Sequence, residues 1–186
     1  MSRIRTFLAV PLPAEIRDKL TVLQRQLAQR SNKITWTQPE NLHVTLIFLG
    51  DVSAEEVPAI CKAAQEASST IKPFEASVRG VGCFPDQRRP RILWAGISEG
   101  TTQLRELLDL TSIQLEGLGF RREERIYTPH ITIGRVRQSQ RGFGESLQAH
   151  EAFEAGKTLV EEVHIYSSEL TPKGSLYTLM GRARLG

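Results

Sequence analysis

His43-Val44-Thr45-Leu46 and His130-Ile131-Thr132-Ile133 are one pattern written twice, nearly half the chain apart. Each is His-x-Thr-x with apolar residues in the gaps. A β-strand sends alternate side chains to opposite faces. Read that way, each copy presents an imidazole and a hydroxyl on one side and buries two aliphatic residues on the other. The β-branched residue inside each motif, the loop-like approaches Gln38-Pro39-Glu40-Asn41 and Tyr127-Thr128-Pro129, and the following Gly50 and Gly134 support strands in both places. Two such strands, one from each of two similar half-domains, can serve a shared cleft. Two imidazoles can take and give a proton near neutral pH. Two threonine hydroxyls can donate to non-bridging phosphate oxygens. The residues alone do not say which histidine takes the proton and which gives it.

Working outward, residues 5–11 read as a strand and 13–30 as a helix with Ile16, Leu20, Leu23 and Leu27 on one stripe. Ser31-Asn32 mark its end. A short strand is expected at 34–37 and the first motif strand at 42–49. Ser53 and Glu56 have capping-box spacing and predict a helix over 53–68. Residues 74–84 and 91–97 look like strands around a Pro/Asp/Arg loop. A helix from Thr101 or Thr102 runs to about Leu115, where Gly117 and Gly119 stop it. The second motif strand spans 130–136, a polar loop 138–144, and a short helix 146–155. Two strands, 159–170 and 176–185, meet near Pro172-Lys173-Gly174. This order predicts an α+β fold of mostly antiparallel sheet with outer helices.

The chain has 186 residues, 40% hydrophobic and 24% charged, with a net charge of +3. Those values describe a globular protein with material for a core. A sequence pI of about 9.1 is compatible with an anionic ligand. Cys61 and Cys83 lack C-x-x-C spacing, no stretch has the length of a membrane span, and no signal-like segment is seen. A cytoplasmic protein is expected, and a monomer by default.

The paired motifs with their flanks resemble the 2H phosphoesterase superfamily, and within it the RNA 2′,3′-cyclic phosphodiesterases formerly called 2′-5′ RNA ligases. The flanks are Arg5-Thr6-Phe7-Leu8-Ala9-Val10, residues 39–50 around His43, and Thr128 to Arg135 around His130. The resemblance covers essentially the whole chain. It implies one domain, residues 1–186, built of two lobes with pseudo-two-fold symmetry and a central active-site cleft. It implies metal-independent hydrolysis of RNA 2′,3′-cyclic phosphodiester ends to 2′-phosphomonoesters, with no cofactor and with tRNA fragments among the candidate RNAs. In some relatives it extends to ATP-independent 2′-5′ joining. By the same resemblance His43 is the proton donor, His130 the proton acceptor, and Thr45 and Thr132 bind phosphate.

Around the motifs, Arg135 is the foremost candidate cation among the clusters Arg88, Arg89 and Arg91; Arg121, Arg122 and Arg125; and Arg135, Arg137 and Arg141. Tyr127 is the foremost candidate for stacking a base, ahead of Phe84, while Phe48 and Trp94 are expected in the core. His150 and His164 are expected to be a surface residue and an ordinary strand residue. Three rivals stand beside this reading. A metal enzyme has too few ligands at telling spacings. The others are a 2H phosphodiesterase on a small cyclic nucleotide or 2′-5′ oligonucleotide, and a non-catalytic protein that binds RNA ends. No G-x-x-x-x-G-K-[ST] phosphate loop is present.

Overall fold

The alternation that the sequence predicts around each motif is present in the computed structural model, which describes residues 3–29, 33–138, 143–172 and 174–186. Ser31-Asn32, Arg141 and Lys173 lie outside them. The chain runs β1 (Arg3–Pro11), α1 (Ala14–Ala28), β2 (Ile34–Trp36), a 3-10 turn (Pro39–Asn41), β3 (His43–Ser53), α2 (Val57–Ser68), β4 (Phe74–Phe84), β5 (Ile92–Glu99), α3 (Thr101–Glu116), β6 (His130–Val136), α4 (Phe143–Gln148), β7 (Glu154–Val160), β8 (Glu162–Thr171) and β9 (Gly174–Arg184). The architecture is α+β. One antiparallel sheet has the order β7-β4-β5-β6-β3-β1-β8-β9, with β2 paired to β6.

That sheet is two four-stranded halves joined through the motif strands. Lobe A is β3-β1-β8-β9 and lobe B is β6-β5-β4-β7. The seam between β3 and β6 is held by the aligned pair Val44 and Ile131. Each half repeats strand, helix, motif strand: β1-α1-β3 and β5-α3-β6. The helices cross over. α1 packs on β6 and β7 of lobe B, whereas α2 covers β8 and β9 and packs on α3, which also reaches β3. Ile16, Leu20, Leu23 and Leu27 of α1 are buried, as their spacing predicts. Val44, Leu46, Ile131 and Ile133 join the same core. Among the described residues, no helix is long and apolar enough to cross a membrane.

Three boundaries differ from the sequence reading. β3 continues to Ser53, so α2 starts at Val57. Glu56 still takes the Ser53 backbone N–H at 2.7 Å, one arm of the expected box. The helix expected over 146–155 is α4 alone, and from Glu154 the chain is strand. The long strand expected over 159–170 is two strands, β7 on β4 at the edge of lobe B and β8 on β1 in lobe A, with the crossing between the lobes at Glu161. No glycine or proline marks that crossing. Leu159 to Ile165 therefore reads as one continuous run, although it spans the end of one strand and the start of another.

Candidate active site

Cross-strand partners share a face of the sheet. On lobe A the partners Pro11 with His43, Ala9 with Thr45, and Phe7 with Phe48 therefore lie on one side. On lobe B so do Gly96 with His130, Trp94 with Thr132, and Ile92 with Arg135. This is the open face. The opposite face carries Val44, Leu46, Ile131 and Ile133 and is covered by the helices.

Each motif strand has a β-bulge at the fourth motif residue, Leu46 in β3 and Ile133 in β6. A bulge sets two residues against one and shifts the alternation that follows. Strict period two would send Phe48 and Arg135 to the core side. The two bulges return both to the open face, at the same distance from their histidines. The sequence expectation of a core Phe48 is thereby corrected: Phe48 is 65% exposed. Trp94 is half-buried on the open face, its ring lying over Gly82, where a β-carbon would collide with it.

Both imidazoles are pinned in the same way. His43 Nδ1–H donates to the Asn41 carbonyl at 2.8 Å, and His130 Nδ1–H donates to the Thr128 carbonyl at 2.7 Å. Each bond reaches two residues back and leaves Nε2 as the basic nitrogen. The Thr45 hydroxyl donates to His43 Nε2 at 2.9 Å.

The surroundings differ. His43 is set among rings: Phe7 at 5.1 Å and Tyr177 at 5.6 Å between centroids, with Phe48 and Tyr166 also against Phe7. Burial there lowers its pKa to about 4, helped by the nearby His130 and opposed by the Asn41 bond. Burial lowers His130 as well, against the Thr128 bond. Its aromatic neighbour is Phe84, edge-on at 5.1 Å, which in turn touches Trp94.

Tyr127 does not present a free ring. Its hydroxyl donates to the Thr45 carbonyl at 2.9 Å, its ring packs on the core, and burial raises its pKa. It thus ties the approach to one motif to the backbone of the other. Arg135 is exposed on the open face. Arg88, Arg89 and Arg91 are exposed around the β4–β5 loop, while Arg122 pairs with Asp109 and Arg125 with Glu123. Phe7, Tyr166 and Tyr177 escape sequence reasoning, since nothing local shows which strands flank β3. His164 is 8% exposed, with Nε2 2.6 Å from Glu162 and Nδ1 2.7 Å from the Tyr166 hydroxyl. Among the described residues, no group of three or more His, Cys, Asp or Glu is gathered as metal ligands would be.

The model of the LigT-like phosphoesterase family matches residues 10–94 and 96–177. The chain belongs to this family. It is 36% identical to the RNA 2′,3′-cyclic phosphodiesterase of Methanothermobacter thermautotrophicus, over 98% of this chain and 100% of the relative. With the Thermotoga maritima protein of the same name it shares 33%, over 95% of this chain and 93% of that one. Two crystal structures superpose on it closely. One is of a Thermus thermophilus protein, with a TM-score of 0.81 and 30% identity over 98% of each chain. The other is E. coli LigT complexed with 3′-AMP, with a TM-score of 0.81 and 26% identity over 99% of each chain. As a LigT-like phosphoesterase, the protein is an enzyme of the 2H type, and its two pinned histidines lie on the two inner strands of its sheet.

Proposed function

We propose that this LigT-like phosphoesterase hydrolyses RNA 2′,3′-cyclic phosphodiester ends to 2′-phosphomonoesters, with His130 as general base and His43 as general acid. The observation that carries the mechanism is the matched pinning of two imidazoles, one from each inner strand, with both Nε2 atoms left for chemistry. Water attacks phosphorus in line with the 3′ oxygen. His130 Nε2 takes the proton of the attacking water, the P–O3′ bond breaks, and His43 Nε2–H delivers a proton to the departing oxygen. Each transfer contributes roughly 10²–10⁴-fold.

His43 is neutral at pH 7 in the free enzyme. An adjacent anion favours the charged form of a histidine, so a bound phosphodiester raises the pKa of His43 and loads the acid. The Thr45 hydroxyl, which donates to the neutral imidazole, is then free to turn to a phosphoryl oxygen. Thr132 and Arg135 serve the same phosphate from lobe B, where charge grows in the transition state. A 5′-hydroxyl in place of water, with the same proton transfers, leaves a 2′-5′ linkage and needs no ATP. A cytoplasmic monomer fits this proposal: both histidines come from one chain, and Cys61 and Cys83 are free thiols.

The test uses an RNA oligomer ending in a 2′,3′-cyclic phosphate, incubated with the enzyme and a chelator. The expected product carries a 2′-phosphate, and its formation is lost in His43→Ala and His130→Ala. An unchanged RNA end overturns the reading. The E. coli relative's complex with 3′-AMP favours a second reading, a mononucleotide substrate. Turnover of a nucleoside 2′,3′-cyclic phosphate but not of the oligomer would select it.

A further inference from the structure

Thr45, Ala9, His164 and Arg182 stand in one cross-strand row on the open face of lobe A, across β3, β1, β8 and β9. The row spans three strand spacings, about 14 Å. The corresponding row on lobe B is Thr132, Trp94 and Gly82, with the indole laid over the glycine. Outward from the threonine, lobe B is therefore apolar, whereas lobe A becomes polar and then basic.

Arg184 follows Arg182 on the same face of β9, opposite Glu162 in register. Both arginines are exposed, and neither has a carboxylate within ion-pair distance among the described residues. The carboxylate best placed to neutralise them, Glu162, is already engaged by His164 Nε2–H at 2.6 Å. That bond leaves His164 Nδ1 to accept from the Tyr166 hydroxyl. A groove of about 560 Å³ opens beside this row, between Pro11, the ladder partner of His43, and Arg184, with Glu162 and His164 in its wall. Its volume is in the range that holds a nucleotide-sized ligand.

We propose that the single-stranded RNA upstream of the terminal cyclic phosphate crosses lobe A along this row, with Arg182 and Arg184 holding its phosphodiesters. The inference rests on the RNA reading above and adds a direction to it: the strand leaves the cleft over β8 and β9, not over β4 and β5. Unpaired guanidinium groups on an exposed edge suit a backbone that offers two anionic oxygens per phosphate. A mononucleotide does not reach them.

The test compares two substrates that share a 3′-terminal nucleotide, a nucleoside 2′,3′-cyclic phosphate and a short single-stranded oligonucleotide with the same cyclic end. In the Arg182→Glu/Arg184→Glu double variant, kcat/KM for the oligonucleotide relative to the mononucleotide falls about tenfold or more. The slope of log kcat/KM for the oligonucleotide against log salt becomes shallower by roughly 1.4, from about 0.7 per single-strand phosphate contact. The Arg182→Gln/Arg184→Gln variant shows a smaller loss of the same kind, and Lys62→Glu on α2, which shifts net charge by the same two units as that variant, controls for charge. An unaltered ratio overturns the proposal. So does a parallel loss on both substrates, or the selective defect appearing in Arg88→Glu/Arg89→Glu, which would send the strand over lobe B. Wild-type enzyme that cleaves neither substrate, or the mononucleotide alone, would overturn the RNA reading itself.

Discussion

Strands β3 and β6 carry the same four-residue geometry in unlike walls. Each has its histidine pinned two residues back, its threonine on the same face, and its bulge at the fourth position. Behind His43 stand Phe7, Tyr166 and Tyr177; behind His130 stands the edge of Phe84. Five residues past the histidine, lobe A exposes an aromatic ring, Phe48, and lobe B an arginine, Arg135. The backbone of the two motif strands is thus nearly symmetric, and the walls around the two histidines are not. In the proposed mechanism, a buried imidazole held neutral suits an acid that is loaded only when an anion arrives, and the more open imidazole suits the base.

The largest effect expected is the loss of either histidine. His43→Ala and His130→Ala should each lower kcat by about 10²–10⁴-fold with circular dichroism unchanged. Wild-type-like turnover in one of them breaks the equivalence of the two motifs. The next test uses acid stability. Because the folded chain holds the His43 pKa at about 4, below its ordinary 6.5, the unfolded chain binds this proton more readily. The related stability is full above pH 6.5 and is lost as pH falls from there to 4. It amounts to about 3 kcal/mol, and the downward shift of His130 acts with the same sign. In His43→Gln the difference in unfolding free energy between pH 7 and pH 4.5 should shrink by most of that amount. An unchanged slope means that the ring wall does not hold His43 neutral.

The exchanged positions sharpen the comparison. Arg135→Ala should cost about 1.5–3 kcal/mol of transition-state binding, mainly in kcat, through loss of a charge-assisted phosphate contact. Phe48→Ala should instead raise KM, by up to about tenfold if a base stacks there. Equal effects on kcat and KM in both variants would erase the division between the walls. The smallest effect belongs to the link between lobes. Tyr127→Phe keeps the ring and removes the bond to Thr45, at a cost of about 1 kcal/mol in stability measured by denaturant unfolding. A loss of several kcal/mol would make the link more than one hydrogen bond.

The motif strands, their alternation and α1 were legible because period two and period 3.6 are written in neighbouring residues. Phe48 was misread for the same reason: the period is local, and the bulge at Leu46 that breaks it is imposed by pairing with β1. Tyr127 looked free beside Pro129, but the carbonyl that claims its hydroxyl is Thr45, far away in sequence. The crossing from lobe B to lobe A at Glu161 left no signal, since no glycine or proline separates β7 from β8.

From its own residues the chain determined two histidines, two threonines and the faces on which each pair lies, because side-chain direction along a strand follows from backbone geometry alone. The tertiary structure decided which rings enclose His43, which side chains the bulges return to the open face, and which arginines continue the row from Thr45. Those are outcomes of strand pairing between distant segments, and pairing partners are chosen by burial over the whole sheet, which no short stretch of sequence contains.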